Sequence, residues 1–558
     1  MIAYTTAAIL ALVHTASAAE LSQETSQSQR QLPEYDIDVR LNFREAKLEG
    51  HQTLTFVNGS REAAENLFFH LYPNVGLEAE SPLTLNVRSV IIDKKRVQFS
   101  LQARGTVLKV NLSDKLAPGE SLTVSIEFSA TVPSIPKEET SLIAHFLEEI
   151  NDAMGEQTQA RATREFFFTT SNTMLLGYFF PLLAEGDIRD PDRLPIGGIK
   201  GVVYSDLANF NVSVETEAGL SVITSGEAAP DVQNPSTSTR KHRFRGRNLR
   251  SFAIIVSNNL KRIERNIPGV RVAVWVRPGN ERIGQGLIAT ASNALETYSK
   301  IFGAHPYPSL KVVEVPLPAS FSGMDLPGMV ALADAYLIDF DSKQSDLPSI
   351  VREQRDVIQS ALEFTLVHEI AHSWWGGSVG SDPQKAPWLD EALAHFSAIY
   401  YFEEHPGGTS LDSVIDQQVR ATYYAYRLFG GVDMEVERPL RDFRSRLQYA
   451  AIVQAKGAFF LISLRKDLGD EKFFAVLRAY YEENRFGMST PDRLKNAVAQ
   501  ASSDPRGMRN QLRRWLNEKH GDEDIGSPPV TMVAQPGGGM KKIGRAFIWI
   551  GRAAARPF

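Results

Sequence analysis

The chain has 558 residues, with 60 Lys+Arg against 66 Asp+Glu, a formal charge of −6, and 43% apolar residues. These values exclude a disordered or collagen-like chain, and the mild acidic excess leaves no basic footprint for nucleic acid. With no cysteine, disulfides, thiolate zinc sites, iron–sulfur clusters and a cysteine nucleophile are excluded, so any metal must be held by His, Asp or Glu.

Residues 1–18 join an apolar run, Thr5 to Val13, to Ala16-Ser17-Ala18, the small-residue pattern of a signal-peptide cleavage site. This predicts an exported protein, periplasmic or secreted. The run has no Lys or Arg before it, and the alternative is an apolar tail on a cytoplasmic chain. About 12 apolar residues are too few to span a bilayer. Residues 19–32, rich in Gln and Ser, read as a flexible N-terminus.

From Tyr35 the pattern alternates strictly, with Tyr35, Ile37, Val39, Leu41 and Phe43 on one face. The same period recurs at Leu122, Val124, Ile126 and Phe128 and at Phe210, Val212 and Val214, with Asn58-Gly59 and Pro118-Gly119 as turn signals. Residues 33–258 therefore read as a β-rich, mostly antiparallel domain. One interruption, Glu138 to Met154, spaces Leu142, Ile143, Phe146, Leu147 and Ile150 as one helical face, an inserted helix. Residues 259–525 form a second, mainly helical domain with β-like runs at 311–316 and 329–332. In it Glu471 to Glu483 turns Phe473, Phe474, Val476, Leu477 and Tyr480 inward. Residues 526–558 are a Gly/Pro linker and a basic tail around Phe547-Ile548-Trp549-Ile550, either a weak membrane-surface contact or a dispensable end. The fold class expected is multidomain α+β.

The chemistry is concentrated in His368-Glu369-Ile370-Ala371-His372. Four residues make about one helical turn, so His368 and His372 leave the same face and can reach one Zn²⁺, with Glu369 beside its water. A second helix starts after Pro387 and places Glu391 with 18 residues between it and His372. Two His and one Glu leave a fourth zinc position open, the catalytic pattern and not the closed structural one. Asp390 and His395 are candidates for supporting these ligands, with surface or core roles as the alternative.

The run from Glu369 to Glu391, with its Trp374-Trp375-Gly376 and Trp388-Leu389-Asp390-Glu391-Ala392, resembles the gluzincin aminopeptidases related to membrane alanyl aminopeptidase and leukotriene hydrolase. Ile301-Phe302-Gly303, Pro306-Tyr307-Pro308 and Val312 to Pro316 extend the resemblance, and Gly177 to Pro181 and Asp206 to Phe210 match it more weakly. It implies a β-saddle domain followed by a thermolysin-like zinc metallopeptidase domain, a short form lacking the large C-terminal helical domain of longer members. It implies one Zn²⁺ per chain, with Glu369 as the base that activates water, and peptide substrates with free N-termini. The family's G-x-M-E-N motif corresponds to Ser322-Gly323-Met324-Asp325-Leu326, so Asp325 would hold the substrate amine with one methylene less reach than the family's Glu, Gly323 would offer backbone hydrogen bonds, and Met324 joins them as a substrate-binding position. A structural acidic turn is the alternative. The family's oxyanion tyrosine, two residues before Lys456-Gly457, is replaced by Gln454. Tyr449 is a nearby substitute, but five residues at about 100° each put it some 140° from Gln454 on a regular helix. The functional expectation is a zinc aminopeptidase. Its rivals are a zinc-binding peptide scaffold of weak activity and, if Asp325 cannot hold an amine, an endopeptidase or epoxide-type hydrolase.

Overall fold

The computed structural model describes residues 31–526 apart from 78–79, 154–164, 171, 185–204, 231–237, 320, 343–346 and 408–409. The signal-peptide segment, all but the end of the flexible N-terminus, and the basic tail lie outside the described residues.

In Glu34–Asn42 every second residue is buried, Tyr35, Ile37, Val39 and Leu41 among them, because successive side chains leave a strand on opposite faces. Phe43, expected on the same face, follows the strand and is only half-buried. The strand lies inside an eight-stranded sheet in the order Glu227–Ala229, Thr239–Leu249, Ala208–Glu217, Glu34–Asn42, Lys47–Val57, Ser121–Thr131, Leu85–Ile92, Lys95–Arg96. One neighbouring pair departs from the antiparallel pattern. Glu34–Asn42 runs parallel to Ala208–Glu217, with Tyr35 beside Phe210 and Ile37 beside Val212, an arrangement that needs the long connection the chain supplies between them.

The two turn signals form one corner. Gly119 N–H donates to Asn58 O at 2.8 Å and Asn58 N–H to Glu120 O at 2.9 Å. Each turn carries the chain between the large sheet and a four-stranded sheet of Leu182–Leu183, Ala64–His70, Val107–Leu116 and Phe99–Gln102. Gly119 sits at φ 79°, a left-handed conformation that costs glycine little. A second four-stranded sheet (Ser221–Thr224, Ile254–Ser257, Thr173–Leu176, Phe167–Thr169) packs toward the rest of the chain.

The inserted helix is present as Leu142–Ala153, but its packing corrects the expected face. Ile143 and Leu147 are 70% and 56% exposed, while His145 and Glu148 are buried. The cause is the partner surface: His145 meets Tyr336 edge-on at 5.3 Å, and Ala319 N–H bonds to Glu139 O just before the helix. Attachment is through a polar and aromatic seam, so periodicity of apolar residues misjudges which side faces in.

After Ile254–Ser257 the chain enters a five-stranded sheet ordered Lys261–Ile267, Val270–Val276, Ser309–Val315, Met329–Ala333, Gly323–Leu326. Both expected β runs belong to it. Gly323–Leu326 pairs only with Met329–Ala333, leaving its other edge open. Around this sheet pack Glu281–Phe302, Arg355–Ala371, Trp388–Glu404 and Gly457–Leu468, sharing one apolar core. Helix Asp470–Asn484 buries Phe473, Val476, Leu477 and Tyr480, with Phe474 half-buried. The protein is thus an antiparallel β-rich unit followed by a mainly helical one.

Candidate metal centre

Helix Arg355–Ala371 is packed on several sides, burying Ile358, Phe364, Leu366, Val367 and Ile370, so its last turn is held in the core. His368 lies in that turn, and His372 continues it at φ −61°, ψ −17°. One turn apart, their Nε2 atoms stand 3.2 Å from each other. Helix Trp388–Glu404 brings Glu391 opposite, its Oε2 3.6 Å from His368 Nε2 and 4.0 Å from His372 Nε2. All three side chains are at most 4% exposed.

His372 Nδ1 lies 3.0 Å from Trp375 O. A carbonyl can only accept, so Nδ1 carries the proton and Nε2 offers its lone pair. Two imidazole nitrogens and a carboxylate oxygen converging in so buried a site are costly unless a cation joins them. A tetrahedral Zn²⁺ about 2.0–2.1 Å from each nitrogen would set those nitrogens about 3.3 Å apart. The donor set therefore fits zinc. The support behind it is also built: Gln454 Nε2 donates to Glu391 Oε2 at 2.9 Å, and His395, buried, packs edge-on to His368 at 5.5 Å. Asp390 Oδ1 accepts the Glu391 backbone N–H at 2.9 Å.

Glu369 is not part of this triad. Among the described residues a second grouping exists, Asp325, Glu369 and His372, with one donor atom of each within 4.8 Å of the others. One cleft is lined by Asp325, Glu369, His372, Asp390, Glu391 and Tyr449. The open edge strand delivers Asp325 to it. An added Cβ on Gly323 would lie 2.5 Å from Thr365 Cγ2 and 3.0 Å from Glu369 Cγ, so only glycine lets the strand lie flush on the His-bearing helix. Met324 is placed elsewhere: its side chain is 2% exposed and packs in a core with Val313, Val315 and Phe321. Strand alternation sends the Met324 side chain away from the cleft, so only its backbone lies along the edge strand.

The largest correction concerns Gln454 and Tyr449. Gln454, expected as an oxyanion donor, is 1% exposed, stands behind Glu391 and is not among the residues lining the cleft. Tyr449, expected on the far side of a regular helix, lines it. The reason is the backbone: Ala450–Lys456 is a π-helix, and the wider turn of i→i+5 bonding brings residues five apart toward the same side of the helix. Buried Lys456 anchors the end of that stretch, its Nζ donating to both Asp433 carboxylate oxygens at 3.0 Å and to Met434 O at 2.8 Å. Burial, and to a lesser degree the nearby Asp390 charge, push the Tyr449 phenol well above its usual pKa, so it keeps its proton and can donate.

The β-rich unit supplies residues that the sequence reading missed. Tyr178 lines the cleft from there, with a left-handed φ of 51° that no periodicity reveals. Arg250 Nε–H is shared by Gly376 O and Gly377 O at 2.8 and 3.0 Å, and its Nη2 donates to Gly487 O at 2.8 Å. It thus ties down the loop that follows His372.

Residues 288–515 match the peptidase family M1 domain. Among curated relatives, aminopeptidase 2, mitochondrial, of Saccharomyces cerevisiae is 27% identical over 289 residues, 51% of this chain and 28% of that protein. Aminopeptidase N of Lactobacillus delbrueckii subsp. lactis is 26% identical over 252 residues, 44% of this chain and 27% of that protein. The aligned stretch thus spans little over a quarter of each relative. In fold, the chain is similar to the M1 zinc metallopeptidase of Deinococcus radiodurans, with TM-score 0.58, 18% identity and coverage of 89% of this chain and 95% of that one. A mutant of that metallopeptidase, bound to a Tyr-Ser-Ala substrate, aligns with TM-score 0.57 at 18% identity over the same shares of the two chains.

Proposed function

We propose that the chain is a zinc aminopeptidase that removes N-terminal residues from peptides. The observation that carries this reading is the position of two carboxylates beside the His368/His372/Glu391 triad, Asp325 on the open edge of strand Gly323–Leu326 and Glu369 on the helix that carries the histidines. The exposed Asp325 carboxylate suits an α-ammonium group, the buried Glu369 beside the triad suits a base, and a free strand edge suits an extended peptide backbone.

His368 Nε2, His372 Nε2 and Glu391 Oε2 would hold one Zn²⁺. Bound there, the ion supplies Lewis-acid polarisation of the scissile carbonyl and lowers the pKa of water. Glu369 takes the proton of the attacking water and passes it to the leaving amine. Asp325 receives the substrate amine, and the backbone of Gly323 to Leu326 aligns the peptide. Tyr449 donates its phenolic hydrogen to the developing oxyanion, while Gln454 orients Glu391. The scaffold alternative drew on Gln454 standing where the family has tyrosine, and Tyr449 on the cleft wall weakens that premise. The leader-like residues 1–18 support an exported enzyme.

The test compares aminoacyl fluorophores with their N-acetyl counterparts on zinc-loaded protein, for the parent and Asp325→Asn. The reading expects cleavage of free amines only, with KM raised about 10-fold or more by Asp325→Asn, the loss of roughly one charged hydrogen bond. Equal cleavage of blocked substrates would overturn the exopeptidase assignment.

A further inference from the structure

Arg446 opens the short helical turn that ends at Tyr449. Its Nη2 donates to Glu165 Oε1 at 2.7 Å, the two side chains being 15% and 3% exposed. Its guanidinium carbon lies 5.2 Å from the centroid of the Phe321 ring. These partners come from different places. Glu165 belongs to the β-rich unit and precedes Phe166, which lines the cleft. Phe321 stands two residues before the edge strand Gly323–Leu326, and its ring is 6.4 Å from that of Phe166. One guanidinium therefore ties its own turn, which carries Tyr449, to two other segments, making three in all: the approach to the Asp325 strand and the segment that leads into a wall of the cleft. Removing one member of a buried ion pair leaves the other uncompensated, and a guanidinium over a ring loses its attraction if the ring shifts. The contact is thus restrictive in all three directions.

We propose that the Glu165–Arg446 pair is a positioning device that holds Tyr449 and the Asp325-bearing strand on the same cleft, so that the β-rich unit sets the geometry of hydrolysis while giving no ligand to the metal. This rests on the aminopeptidase reading for its kinetic consequences, though not for its structural ones.

The test uses the full chain. With zinc loaded, Glu165→Gln is expected to lower kcat about 10- to 100-fold, the scale of a misplacement of about 1 Å, and to raise KM for free-amine substrates about 3-fold or more, with zinc content unchanged. In a Tyr449→Phe background the kcat effect is expected to disappear and the KM effect to remain, since the two losses then share one target. Arg446→Lys, which keeps the charge but not the planar fork, should fall between the parent and Glu165→Gln. Hydrogen exchange on the metal-free protein gives a readout independent of activity: amides of 321–326 and of 446–449 should both exchange faster in Glu165→Gln. An unchanged kcat, full additivity with Tyr449→Phe, or exchange altered at 446–449 alone or throughout the β-sheets would overturn the proposal. Should the parent cleave nothing, the aminopeptidase reading falls and the exchange pattern still decides the clamp.

Discussion

Glu369 and Asp325 are both carboxylates of one cleft, and their surroundings divide the work between them. Glu369 is 2% exposed on a core helix, pressed by the Gly323 backbone, which suits a base that must keep its place beside the metal. Asp325 is exposed on a strand edge, which suits a group that meets an incoming ammonium. Because Glu369 is outside the His368/His372/Glu391 triad, Glu369→Gln is expected to retain zinc and lose turnover by about 10²- to 10⁴-fold, the usual worth of a positioned base. Metal analysis alongside initial rates checks this, and loss of zinc together with activity would contradict it.

At the scale of elements, the edge strand and the π-helix decide the site. Gly323→Ala is expected to push the strand off helix Arg355–Ala371 through Thr365, with kcat/KM falling at least about 10-fold and stability by about 1–3 kcal/mol, the cost of overpacking. Kinetics and denaturant melts on the same preparation measure both, and an unaltered kcat/KM would contradict the close approach. What was legible in the sequence follows from how local each signal is. His368, Glu369 and His372 were readable because one α-turn fixes their relation, and Glu391 because Pro387 and its flanking apolar residues announce a second buried helix. The places of Tyr449 and Gln454 were not, since a 100° step cannot reveal that Ala450–Lys456 winds as a π-helix. The exposed Ile143 and Leu147 escaped for the converse reason: the helix is regular, but its seam is made by His145 and not by its apolar face.

Across the whole molecule, the two units are joined by long-range polar contacts that leave no sequence signature. Arg250 reaches Gly376, Gly377 and Gly487, and Glu165 reaches Arg446. Three buried histidines are likewise spread through the structure: His70 in a sheet of the β-rich unit, His145 on the inserted helix and His305 against Trp374. Burial pushes each down to about 4 from an ordinary 6.5. The unfolded chain therefore binds more protons between those values. The histidine contribution to stability is full above about pH 6.5 and is lost as pH falls toward 4, with a slope approaching three protons. Denaturant midpoints measured from pH 7 to 4 should fall accordingly, and a flat profile would contradict the burial of neutral imidazoles.

The most direct test of the account is the turnover of Tyr449→Phe beside that of Gln454→Ala, each measured with its zinc affinity. The structure predicts that Tyr449→Phe keeps zinc and loses about 10²- to 10³-fold in kcat, the worth of one oxyanion donor. Gln454→Ala should bind zinc about 10- to 100-fold more weakly, as when a group orienting a ligand is removed, and regain nearly full turnover at saturating zinc. Full turnover in Tyr449→Phe, with turnover lost in zinc-saturated Gln454→Ala, would contradict the roles assigned to the two residues.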